Sequence, residues 1–114
     1  MPNLTVPVSE IVGNPDIFVR SRGPINLTCI ISNSPEPPAF VFWYHNNRMI
    51  NYDYTTQDGG GQISVQKDPN RLDVVISRLL IKNARVDDNG NFTCSPSNAE
   101  PASVYVHVLQ GTSF

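Results

Sequence analysis

Cysteine is scarce in this sequence. Cys29 and Cys94 are the only two, and no CxxC pair occurs. A structural zinc site wants four ligands at close spacing, so that chemistry is excluded. Histidine is equally scarce, with His45 and His107 alone. Strand parity puts His45 toward the core side at a strand end and His107 on an outer face, so the two do not converge on a metal or an acid–base pair. No serine stands in a G-x-S-x-G elbow. "GGGQ" at 59–62 lacks the lysine and hydroxyl of a phosphate loop and reads as a strand connection. The carboxylates scatter over turns. The sequence implies no cofactor, no small-molecule substrate and no enzyme.

Charge is also sparse. Eight basic and ten acidic residues leave a net charge of -2. A nucleic-acid partner calls for clustered Lys and Arg, and an anionic membrane surface for a polybasic run. The linear sequence holds neither. No apolar run approaches the ~20 residues that cross a bilayer. The opening "MPNLTVPVSE" lacks the charged and long apolar regions of a signal peptide.

What is present is alternation. In "INLTCII", Ile25, Leu27, Cys29 and Ile31 share one face, and Asn26, Thr28 and Ile30 take the other. In "AFVFWYH", Val41 and Trp43 oppose Phe40, Phe42 and Tyr44. Leu79 aligns with Ile81, Phe92 with Cys94, and Val104 with Val106 and Val108. Turn residues interrupt these runs every eight to twelve positions, as in an all-β sandwich or barrel. "SNSPEPP" and "KDPNR" are such interruptions, and a short edge strand is expected at Met49 to Tyr52 within "NNRMINYDYTTQDGGGQ". The pattern predicts seven to nine strands and no long helix, with at most one helical turn in "NARVDDNG". With 114 residues, 39% of them hydrophobic, the chain can build one core. We expect a linker over 1–8, running into an edge strand where proline is tolerated, a domain over 9–110 and a tail over 111–114.

Both cysteines lie on apolar strand faces, and Trp43 follows Cys29 by 14 residues. A reactive thiol wants partial exposure and a basic neighbour. A disulfide between two facing sheets, packed on Trp43, fits instead and implies an oxidising compartment. Three N-glycosylation triplets agree, at Asn3, Asn26 and Asn91, where chance yields about one. We expect an excised extracellular domain with Met1 as an added start and its signal peptide upstream.

Cys…Trp…Cys at this spacing is the framework of the immunoglobulin fold, in an I-set or V-like sandwich. Leu79, Ile81, Asp88, Gly90 and Cys94 match the "L-x-I … D-x-G-x-Y-x-C" run of that fold, except that Phe92 replaces the tyrosine. That tyrosine's hydroxyl ties the corner before the strand back to the chain. The Phe92 ring fills the core without the tie, so we expect a weaker corner and an unchanged fold. "DNG" also resembles a calcium loop, but an EF-hand register puts Arg85 at position one and Pro96 at position twelve, where carboxylates are required.

Phe40, Phe42 and Tyr44 face outward on their strand, and Tyr105 faces outward on the last one. Two readings stay open. Flanking loops or neighbouring side chains cover these rings, or they form a protein-binding surface, where exposed aromatics are favoured.

"INLTCIISNSPEPPAFVFWYHNNRMINYD" and "NFTCSPSNAEPASVYVHVLQG" carry a closer resemblance. From about Ser9 to Gly111 the chain resembles the second immunoglobulin domain of the insect defective-proboscis-extension-response (Dpr) family. The resemblance implies a neuronal cell-surface protein with two immunoglobulin domains and a membrane anchor. It implies binding to Dpr-interacting proteins, which are also immunoglobulin receptors, in synaptic partner matching and, for some members, chemosensory behaviour. It further implies that the missing first domain makes the main partner contact and that this one is the membrane-proximal spacer. The alternatives are a direct protein-binding module that uses the aromatic strand face, and a soluble immune-type recognition domain.

Overall fold

The computed structural model describes residues 6–13, 15–50 and 62–110. These form nine strands in two sheets, as the alternation predicts. They are β1 Val8–Ile11, β2 Asp16–Arg20, β3 Ile25–Ser32, β4 Val41–His45, β5 Arg48–Met49, β6 Gln62–Lys67, β7 Val75–Ile81, β8 Gly90–Pro96 and β9 Ala102–Leu109. One sheet has the order β1-β3-β7-β6 and the other β2-β9-β8-β4-β5. The single turn of 3₁₀ helix at Val86–Asp88 lies inside "NARVDDNG".

The chain's first run changes sheets. β1 pairs antiparallel with β3, and β2 then pairs parallel with β9. Gly13, at φ 109, supplies a backbone conformation at this crossing that side chains disfavour. The predicted edge strand at Met49 to Tyr52 appears one residue earlier, at Arg48–Met49, and its part from residue 51 onward lies outside the described residues. So do the Asn3 triplet and residues 59–61 of "GGGQ". The hairpin before β5 turns through Asn46 and Asn47, at φ 52 and 69. Two positive φ values in a two-residue loop are the I′ geometry that suits the twist of a hairpin, and asparagine tolerates it.

The inward faces meet in one core. Ile25, Leu27, Ile31, Leu79, Phe92 and Trp43 are all buried. Cys29 and Cys94 bond across the two sheets with a Cα–Cα distance of 6.4 Å. A second cross-sheet link stands beside the first. Trp43 Nε1 donates to Ser77 Oγ at 2.9 Å, and the Ser77 hydroxyl donates to the Ser64 carbonyl at 2.9 Å. Trp43 is the ladder partner of Cys94, and Ser77 is the ladder partner of Cys29. Disulfide, ladder, hydrogen bond and ladder therefore close a ring through both sheets. Ser77 is completely buried, and the indole donor needs it, because a buried N–H without an acceptor is costly.

The corner before β8 lacks the tyrosine tie, and other side chains hold it. Asn89 Oδ1 accepts the Val108 amide at 2.9 Å, and Asn89 Nδ2 donates to the Val86 carbonyl at 2.9 Å. Asp88 Oδ2 accepts the Arg85 amide at 2.8 Å. Asn46 Oδ1 accepts the Asn91 amide at 2.9 Å, bringing the β4–β5 turn against the corner. Gly90 makes room for this contact. At its φ of 134, an added Cβ would come 2.3 Å from Asn46 Oδ1. Phe92 is fully buried, and its ring stacks on His45 at 4.5 Å between centroids. His45 Nε2 meets the Asn89 carbonyl at 2.8 Å, which accounts for that histidine structurally.

Candidate functional site: the outer face of the five-stranded sheet

Outward positions on the five-stranded sheet follow from its registers. Phe42 and Tyr44 come from β4, Asn91, Thr93 and Ser95 from the gaps between the inward residues of β8, and Tyr105 and His107 from β9. β2 adds Asp16 and Phe18 at the edge. Directly paired residues share a face, so Met49 joins Tyr44 on this side.

Three of the aromatic residues expected on this face keep substantial exposure. Phe40 is 47% exposed, Phe42 36% and Tyr105 43%. Phe40 and Phe42 stack on each other at 4.3 Å between centroids. Phe40 is held just before β4 by its carbonyl, which accepts the Ser97 amide at 2.9 Å. Tyr44 is half-buried and borders a shallow groove of about 270 Å³ shared with Asn47, Thr93, Ser95 and Pro101.

Tyr105 belongs to a different cluster. Its ring meets His107 at 4.7 Å, and Phe18 stacks on the same His107 at 4.5 Å. His107 Nε2 also contacts Asp16 Oδ1 at 2.8 Å. Sequence reasoning missed Phe18 and Asp16 because it read an edge strand only in the first dozen residues and assigned no strand to 16–20. The signal was available in "DIFVR", where Ile17 and Val19 alternate with Phe18.

Strand β8 runs between the two clusters and is polar on this face. Asn91 Nδ2 donates to Thr93 Oγ1 at 3.2 Å, and the Thr93 and Ser103 hydroxyls share a hydrogen bond of 2.7 Å. Asn91 is the ladder partner of Tyr105, and Thr93 is that of Tyr44. The Asn91-Phe92-Thr93 triplet therefore sits in the middle of the face. Asn26 is exposed on the outer face of the other sheet, opposite Leu80. Among the described residues no three His, Cys, Asp or Glu side chains gather as a metal site. No helix among them is long and apolar enough to cross a membrane.

No curated protein matches the chain in sequence. Among solved structures, the chain is similar to one in the crystal structure of Dpr2 Ig1-Ig2 in complex with DIP-Theta Ig1-Ig3. The TM-score is 0.71 and the identity 26%, covering 96% of this chain and 52% of that one. This chain thus spans about half the length of that neighbour. The first Ig domain of the mouse polymeric immunoglobulin receptor shares the fold at a TM-score of 0.61 and 13% identity, over 91% of this chain and 97% of that one. A chain of the ZIG-8–RIG-5 IG1-IG1 heterodimer shares it at 0.53 and 20%, over 86% and 84%. The immunoglobulin domain family matches residues 2–98, most of the chain. With two sheets, one inter-sheet disulfide and a buried tryptophan between them, the chain belongs to the immunoglobulin domain family.

Proposed function

We propose that this chain is the membrane-proximal spacer domain of a Dpr-type neuronal cell-surface receptor. In that role it carries a partner-binding domain outward and makes no tight contact itself. The likeness to the Dpr2–DIP-Theta structure supports the family, with a TM-score of 0.71 over 96% of the chain. The disulfide supports an extracellular location. The full receptor would engage other immunoglobulin-superfamily cell-surface proteins, the Dpr-interacting proteins, in synaptic partner matching.

The polar course of β8 carries the spacer reading. A standard interface buries roughly 800 Å² on each partner. A patch of that size on this face would have to cover Asn91, Thr93 and Ser95 between the two aromatic clusters. A glycan on Asn91 would stand beside Tyr105, its ladder partner, and one pair along from Tyr44. A glycan on Asn26 would occupy the other sheet in the same way.

The second reading is direct binding through β4. The exposed Phe40–Phe42 pair favours it, because stacked aromatics in water are a cost that a partner removes. Surface plasmon resonance against a Dpr-interacting protein separates the two. The glycosylated single domain should show no nanomolar binding, and the two-domain ectodomain should bind. Tight binding by the single domain, lost on Phe42→Ala or Tyr44→Ala, would overturn the spacer role.

A further inference from the structure

We propose that the end of the domain formed by the β2–β3 turn, the β7–β8 segment and the end of β9 is a binding site for a sulfated polysaccharide. Three separate pieces of chain are tied together there. The Arg22 amide donates to the Ala84 carbonyl at 2.7 Å, the Ala84 amide to the Gly23 carbonyl at 2.8 Å, and the Ser21 amide to the Leu109 carbonyl at 2.8 Å. A hollow of about 370 Å³ opens between them, lined by Arg22 and Arg85 with Asn83 and Gln110.

The charge at this end differs from that of the whole. The chain carries -2, but Arg20, Arg22, Lys82 and Arg85 are exposed here. The described carboxylates at this end are Asp87 and Asp88, and Asp88 is buried with its Oδ2 on the Arg85 amide. The fold thus gathers a basic surface that no run of sequence contains. Such a surface attracts polyanions by local field, whatever the net charge.

Arg22 supplies an independent observation. Four described residues other than glycine have positive φ, and three are asparagines at 33, 46 and 47. The fourth is Arg22, at φ 73. Glycine and asparagine adopt this conformation at little cost, and a long side chain does so at a real one. Turn geometry alone would choose glycine here. Strain retained at one position points to a use for its side chain.

The occupant follows from compartment and chemistry. The disulfide places the domain in an oxidising, extracellular setting. Strongly anionic lipid is a feature of the cytoplasmic leaflet, so it is not what this end would meet. A sulfated sugar chain is extracellular, carries repeated anions for several cations at once, and presents single sugar units to a hollow. Guanidinium groups match such oxyanions by paired N–H donors. The inference uses the compartment and not the partner-matching role, so either can fail alone.

Immobilised heparin provides the test, with the full chain at pH 7.4. Despite its net charge of -2, the wild-type chain should be retained at about 0.15 M salt. Arg22→Asn combined with Arg85→Gln should elute without retention. By counterion release, each lost contact should make the salt dependence about one unit shallower. Arg22→Asn alone should hold or raise the melting temperature while weakening retention, which separates binding from folding. Lys67→Gln with Arg71→Gln, at the β6–β7 turn of the opposite end, should behave as wild type. Failure of the wild type to bind, equal loss in the control pair, or binding to phosphatidylserine vesicles without binding to heparin would each overturn the proposal.

Discussion

Replacing Ser77 with alanine isolates the second cross-sheet link. The Trp43 Nε1–H group is donated to Ser77 Oγ at 2.9 Å inside a core where both residues are 0% exposed. Alanine leaves the backbone and the ladder to Cys29 in place and removes only the acceptor. The indole N–H is then buried without a partner, a penalty of about 1–3 kcal/mol. The Ser64 carbonyl loses its hydroxyl donor but keeps its place in the ladder to β7, so its share is small. A net loss of about 2 kcal/mol is expected, or about 8 °C in melting temperature for a chain of this size. Equilibrium denaturation with an unchanged slope measures it. The cycle with Trp43→Phe tests the cause. Phenylalanine has no N–H to orphan, so Ser77→Ala should cost about 1–2 kcal/mol less in that background. Equal costs in both backgrounds, or a loss under about 0.5 kcal/mol in the wild type, would refute the role given to this hydrogen bond.

The unreduced protein should show no free thiol by mass spectrometry, and joint replacement of Cys29 and Cys94 by alanine should cost about 4 kcal/mol, the loop-closure entropy of a 65-residue separation. Two titratable thiols in the folded chain would overturn both the pairing and the extracellular assignment. Phe92→Tyr should be neutral or stabilising by up to about 1 kcal/mol in chemical denaturation, because the Asn89 side chain already ties the corner. A loss well beyond about 1 kcal/mol would mean that the fully buried ring has no polar exit for a hydroxyl.

The sequence alone determined which residues face inward. Side-chain parity along a strand is a local property of the backbone, so the alternation around Cys29, Trp43, Leu79 and Cys94 could be read without knowing any partner strand. From it came the two sheets, the disulfide and the buried tryptophan. The Asn46-Asn47 turn was legible too, in the preference of asparagine for positive φ, although it was not read. Parity says which face a residue takes, but not what stands beside it. That Ser77 meets the indole of Trp43, and that polar β8 separates Tyr105 from Phe42, depend on strand order. The parallel pairing of β2 with β9 joins segments about 89 residues apart, such as Asp16 with Tyr105, and left no local trace. The basic end is the clearest case of this kind. Arg20, Arg22, Lys82 and Arg85 come from two stretches of chain, each too sparse in charge to register by itself. Only tertiary structure made them neighbours, because electrostatic potential sums over distance in space and not over separation along the chain.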